Sequence, residues 1–281
     1  MGFEIAWTFG ELESVLASVH GIDQSKRTAF QSRLKNFHRL GYPVGFHAVK
    51  GKAATYTPLQ IIEMALAVEM TQLGLPPERA SWVLARNRWP ILMATEIVGR
   101  ELRQMPDAFS SERGLAERAL SMFLYFDPTA LNPLTLHLPA KVLPDLDEAA
   151  NSFFYGGMGI VREGIAAWTS GQSARLSLIN LTAMAGNVAT SPFDEGSNDD
   201  LAYRRDFFRL LEESAFKTRE EWGGGDEAEE DYVFNLLERE MVTDPASLAD
   251  HASIPLNRAV RYCDEFRERW GGGAYDSNPQ T

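Results

Sequence analysis

Cysteine is almost missing from this chain: Cys263 is the single one in 281 residues, so no internal disulfide and no multi-thiolate metal site can form. Histidine is scarce as well. The five, at positions 20, 38, 47, 137 and 251, share no metal-ligand spacing and are expected to be structural or surface residues. No metal and no cofactor is expected. Apolar runs of about 18 residues, the length that spans a membrane, are absent. The opening stretch carries Glu4 and no basic cluster, unlike a secretory signal. A cytoplasmic, reducing setting is the expectation.

Catalytic patterns are lacking too. The sequence holds no Gly-x-Ser-x-Gly, no His-Glu-x-x-His and no phosphate-binding loop. Gly157 and Gly159 begin a dinucleotide-like spacing, but Arg162 stands where its third glycine belongs. The acidic stretch 194–200 lacks the glycine and the distal Glu of a calcium loop. Cys263 falls on the inward stripe of an expected helix and reads as a buried thiol. The chain is not expected to be an enzyme.

Charge is present in quantity but unevenly placed. The formal net charge is −12, yet between Asp23 and Thr55 the basic residues Lys26, Arg27, Arg33, Lys35, Arg39, Lys50 and Lys52 face that one acid. A basic segment inside an acidic chain suits a DNA-contacting module attached to a remainder that DNA repels.

The expected fold class is mainly α (α+β). Residues 1–90 form an N-terminal module closed by Trp89 and Pro90. Residues 91–196 are a mixed α/β part with a small sheet, a candidate for sensing or dimerisation. It opens with a helix over 91–104, continues with one around 115–124, and includes a proline-rich stretch (Pro128, Pro133, Pro139, Pro144) suited to turns. Within 175–182, Leu176, Leu178 and Leu181 with Ile179 suggest a half-buried strand. Residues 197–270 are helical, split by Gly223–Gly225, and 271–281 form a disordered tail.

The N-terminal module has the clearest pattern. Leu12, Val15, Leu16 and Val19 make one stripe of a short helix. A longer helix begins near Asp23 or Ser25, runs to about Leu40 and stops at Gly41 and Pro43. On it Phe30, Leu34 and Phe37 share a face, and Thr28, Gln31, Ser32, Lys35 and Arg39 lie opposite with no acid among them. Such a face suits a helix in the major groove. Residues 44–55 suggest a β-hairpin wing with Lys50 and Lys52 beside Gly51. Thr57 then caps an apolar helix with Pro58 at its first position, and Gly74 ends it.

In this order Trp7-Thr8-Phe9-Gly10-Glu11-Leu12, Arg39-Leu40-Gly41-Tyr42-Pro43, Tyr56-Thr57-Pro58 and Leu73-Gly74-Leu75-Pro76-Pro77-Glu78 resemble motifs of the MerR family of transcriptional regulators. The resemblance covers the first third of the chain. It implies a winged helix-turn-helix domain over 1–90 that binds double-stranded DNA through Lys26, Arg27, Thr28, Gln31, Ser32, Lys35, Arg39, Lys50, Lys52 and Tyr56. It does not extend to that family's long dimerisation helix or its metal-sensing cysteines, which this sequence does not carry.

A weaker signal lies near the C-terminus. The stretch 246–252, a break at Ser253, Ile254 and Pro255, and a helix over 256–269 suggest a second helix-turn-helix or a packing pair. Leu248, Ala249, Ile254, Ala259 and Val260 would form its core, with Arg258 and Arg261 outward. The expected protein is thus a homodimeric DNA-binding transcriptional regulator, with a small-molecule effector or RNA polymerase as a further partner and no membrane. The alternative is an adaptor that uses the winged-helix scaffold to bind protein. A third reading, a ligand-binding middle part, would need a polar pocket near Arg162, Trp168 and Arg175.

Overall fold

The computed structural model describes residues 5–46, 54–105, 122–126, 154–157, 161, 177–191, 198–221, 233, 244–252 and 256–270. Among these the chain is mainly helical with two small sheets. The first elements are β1 (Trp7–Thr8), α1 (Phe9–Val19), a short 3-10 turn (Gln24–Lys26), α2 (Arg27–Arg39), β2 (Thr55–Tyr56), α3 (Pro58–Gln72), α4 (Pro77–Arg86) and α5 (Arg88–Gln104). After them come β3 (Phe123–Phe126), β4 (Phe154–Gly156), β5 (Ser177–Asn180), α6 (Leu181–Thr190), α7 (Asn198–Glu221), α8 (Pro245–Ala252) and α9 (Leu256–Trp270).

Local chemistry fixes the early helices. Thr8 and Glu11 form a capping box at α1: the Glu11 N–H donates to Thr8 Oγ1 at 3.4 Å and the Thr8 N–H to Glu11 Oε2 at 2.7 Å. Thr57 and Gln60 repeat the device at α3, with Pro58 in the first turn. Each such cap contributes about 1 kcal/mol. Gly41 (φ 76°) and Gly74 (φ 97°) adopt the left-handed backbone that lets the chain turn after α2 and α3. Helix α3 is buried on almost every side, with Ile61, Ile62, Met64, Leu66 and Val68 fully enclosed.

Helices from the later sequence complete that core. The closest packing is between α5 and α7, and α7 and α6 also pack on α3. A Cβ at Gly99 of α5 would lie 2.7 Å from the Glu212 backbone nitrogen and 2.9 Å from the Phe208 carbonyl oxygen. Only glycine allows the two backbones so near. Glu96–Arg219 and Arg103–Glu212, both at 3.3 Å, flank the contact. Trp7 from the first strand stacks on Phe207 of α7 with centroids 5.8 Å apart.

The larger sheet has the order β4-β3-β5, antiparallel throughout, with Leu124 opposite both Tyr155 and Ile179. Its central strand is buried along its whole length, since α5 and α6 also pack against it. Asn180 caps α6 by accepting from the Ala183 N–H at 2.9 Å. Thr182 Oγ1 accepts from the Met122 N–H at 2.8 Å, which ties the start of α6 to the start of β3.

Several sequence expectations change here. Pro90 does not close an element: it is the third residue of α5, where a missing N–H costs no helical hydrogen bond. The expected boundary at 90 therefore falls inside a helix, and segments from both sides of it share the core. Phe123 and Leu124, expected in a helix, lie in β3, because a short apolar run with both faces covered carries no period. The expected half-buried strand is β5, in which Ile179 points inward while Leu178 is exposed, and Leu181 already opens α6. Thr55 and Tyr56 pair with Trp7 and Thr8 of the opening strand. The acidic stretch 194–200 ends in the first turn of α7. In the C-terminal pair, Leu248 and Ala259 are buried as expected but Val260 is exposed, and Arg261 pairs with Glu265 at 3.6 Å. Cys263 is a buried thiol. The proline-rich stretch, Ile254, Gly223–Gly225, the tail, and Arg162, Trp168 and Arg175 lie outside the described residues.

Candidate nucleic-acid interface

Helix α2 follows a tight entry in which Asp23 Oδ1 accepts from the Ser25 N–H at 2.8 Å. Its apolar face is the one the sequence implies, since Phe30, Leu34 and Phe37 are all buried. The 3.6-residue period then turns Thr28, Ser32, Lys35 and Arg39 outward, and all four are exposed, as is Lys26. The Ser32 hydroxyl donates to the Thr28 carbonyl at 3.0 Å. Lys35 Nζ stands 5.7 Å from the centre of the Phe9 ring, and Arg39 donates to Asn36 Oδ1 at 2.6 Å. These contacts restrain the side chains without cancelling their charge. The C-terminal end of α2 also favours cations such as Arg39 through its backbone dipole.

Three expected contacts are placed otherwise. Arg27 pairs at 2.6 Å with Glu13 of α1, whose side chain is nearly buried, and Gln31 Nε2 donates to the same carboxylate at 3.4 Å. An acid absent from α2 itself thus comes in from the neighbouring helix, and both residues turn toward it. Tyr56 is 1% exposed. Its hydroxyl lies 3.1 Å from His38 Nε2, and burial pushes the phenol up to about 12. Tyr56 is a core residue that no DNA strand can reach. Lys50 and Lys52 lie outside the described residues.

Tyr56 nevertheless belongs to an aromatic stack beside α2. Phe46 stacks on it at 4.9 Å with rings 7° from parallel, and His38 stacks on Phe46 at 4.6 Å. Burial holds the His38 imidazole below its usual pKa, which favours the neutral ring within this stack. The two ends of the segment 47–53 are therefore fastened to each other and to the inner flank of α2. The sequence reading left His38 without a role. Its signal was present: His38 is one residue from Phe37, and the aromatic residues at 42, 46 and 56 follow.

A second polar cluster lies on the other side of α3. Glu63 is an acid amid Ile61, Ile62, Met64 and Ala65, and it is 1% exposed. The Arg88 Nε donates to Glu63 Oε1 at 2.9 Å, and Arg88 Nη2 donates to the Val44 carbonyl at 3.4 Å. The Tyr42 hydroxyl donates to the Glu63 backbone carbonyl at 3.3 Å. Burial raises the Glu63 carboxyl to about 7 despite the adjoining guanidinium. Its Oε2 has no hydrogen-bond partner. The sequence carries a signal for this pair, since an acid inside a largely apolar helix calls for a buried counter-ion.

No group of His, Cys, Asp and Glu among the described residues could hold a metal ion, and no helix there is long and apolar enough to cross a membrane. The chain matches no family model, no curated protein and no solved structure.

Proposed function

We propose that this chain is a sequence-specific DNA-binding transcriptional regulator acting as a homodimer, with α2 as the helix that enters the major groove. The observation that carries the reading is the outer stripe of α2. Thr28, Ser32, Lys35 and Arg39 stand exposed in one line, backed by a rigid apolar face and free of carboxylates. Long donors on a fixed helix can reach base edges, while flanking cations meet phosphates. Helices α1 and α2 with the 47–53 segment then serve as the helix-turn-helix and its wing, and Lys50 and Lys52 supply backbone contacts. One such module makes few phosphate contacts, so two copies reading paired half-sites complete the site.

The test is to map bound DNA across a genome and then titrate purified variants on the recovered site and on random duplex. Lys35→Ala should weaken binding and lower the salt slope by about one unit if it meets a phosphate. A base contact would add discrimination of about 1–3 kcal/mol. Sedimentation should show a dimer with and without DNA.

A protein-binding adaptor is the second reading, and the loss of Arg27, Gln31 and Tyr56 from the outer face favours it. It gains if Lys35→Ala and Arg39→Ala bind DNA like the parent while remaining folded.

A further inference from the structure

Beside Arg88 lies a cavity of about 450 Å³, bounded by Val44 and Gly45 before the 47–53 segment, by the first turn of α3 and by the last turns of α7. That volume falls in the range of small-molecule sites. Polar side chains share its wall with Arg88: Thr57, Gln60, Ser214, Lys217, Thr218 and Glu221. Arg88 is only 7% exposed. Nε is engaged by Glu63 and Nη2 by the Val44 carbonyl, which leaves Nη1 for the space that the side chain lines.

We propose that this cavity binds a small anionic molecule through a carboxylate or phosphate group held by Arg88, with Lys217 closing over it. A desolvated guanidinium still offers the two N–H bonds of Nη1, and an oxyanion that accepts from them is bound far more strongly than in water. The charges around it decide the sign of the coupling. From α3, Glu63 opposes Arg88. From the turn after α2, the Tyr42 phenol faces Glu63 and stays neutral because burial holds its pKa high. From α7 come Lys217 and Glu221, themselves 3.6 Å apart and exposed. An incoming anion competes with Glu63 for Arg88, and the carboxyl yields by taking a proton. Binding therefore consumes a proton, and affinity rises as pH falls toward about 7 and levels off below it, where Glu63 is already protonated in the free protein.

The site also touches the DNA-facing side. Arg88 holds the carbonyl of Val44, two residues before Phe46, after which the 47–53 segment begins. A ligand that takes Arg88 loosens that anchor and so changes how the wing segment is presented; this consequence rests on the proposed function above, whereas the anion site does not.

Full-length protein is titrated calorimetrically with sulfate, succinate and inorganic phosphate, against chloride at matched ionic strength. The parent should give saturable binding to at least one of them. Arg88→Gln should abolish it, Thr218→Trp should block it by filling the cavity from its open rim, and Lys217→Ala should weaken it several-fold. Sulfate keeps its charge across this range, so its affinity should rise by up to about tenfold per pH unit on acidification toward about pH 7. Absence of saturable binding by all three anions overturns the proposal, as does unchanged binding by folded Thr218→Trp. Binding that both variants lose, in a parent that binds no DNA, supports the site and removes the proposed function instead.

Discussion

The outer face of α2 and the cavity around Arg88 both present cationic donors, but they are assembled in opposite ways. On α2 successive turns of one helix line up Thr28, Ser32, Lys35 and Arg39, each exposed, with only Lys35 leaning on another element through the Phe9 ring. At Arg88 the neighbours come from positions 44, 57–63 and 214–221, and the guanidinium and its Glu63 partner are themselves held out of water while Lys217 and Glu221 on the rim stay exposed. Their two ion pairs differ in the same sense. Arg27–Glu13 keeps a guanidinium that is 25% exposed, whereas Arg88–Glu63 has side chains at 8% and 2%. A half-open pair is screened by solvent and is replaceable. A closed pair cannot lose one member without stranding the other.

The largest effect should therefore come from Arg88→Ala, at about 3–5 kcal/mol of unfolding free energy at a pH where Glu63 is ionised. Arg27→Ala should cost about 1 kcal/mol or less. Urea unfolding of both variants checks the contrast, and equal losses would erase it.

Next in size is Gly99→Ala, which forces α7 away from α5 and should cost about 1–3 kcal/mol by overpacking. Because α7 also walls the cavity, the same variant should weaken anion binding, although Gly99 does not line it. A stable variant with unaltered binding would show that α7 yields freely.

The pH dependence separates the regions further. The folded-state carboxyl of Glu63 is raised from an ordinary value near 4.5 to about 7, so folding takes up a proton across that window. Its contribution to stability is present at the acidic end and is lost as pH rises toward about 7. Glu96 and Glu101, raised by burial, act in the same direction. Glu11, held below its usual value chiefly by the Thr8 backbone N–H, acts in the opposite one. Glu63→Gln should flatten the fall seen in the parent, measured as denaturation midpoint against pH. An unchanged slope would assign the titration elsewhere.

The smallest effect is on DNA. Arg27→Ala should leave affinity and salt slope nearly unchanged, since its charge is matched by Glu13, while Lys35→Ala lowers the slope by about one unit. If the two variants behave alike, the division of the α2 surface is wrong.

Much of the first hundred residues was legible because local rules suffice there. Thr57 and Pro58 announce a helix start, Gly41 and Gly74 announce ends, and Phe30, Leu34 and Phe37 announce the buried face. Where an element owed its form to neighbours, the sequence misled. Phe123–Phe126 carries no period, and Pro90 sits at a helix position where a proline is harmless.

What the sequence determined by itself is periodic and near in the chain: the caps, the turns, the apolar stripe of α2 and therefore its outer row of donors. Tertiary structure alone decided which donors stay outside. Glu13 drew in Arg27 and Gln31, the aromatic stack took Tyr56 into the core, and α7, more than a hundred residues away, closed a cavity over Arg88. A helix repeat dictates which side chains share a face; what that face meets depends on contacts whose sequence separation no local pattern encodes.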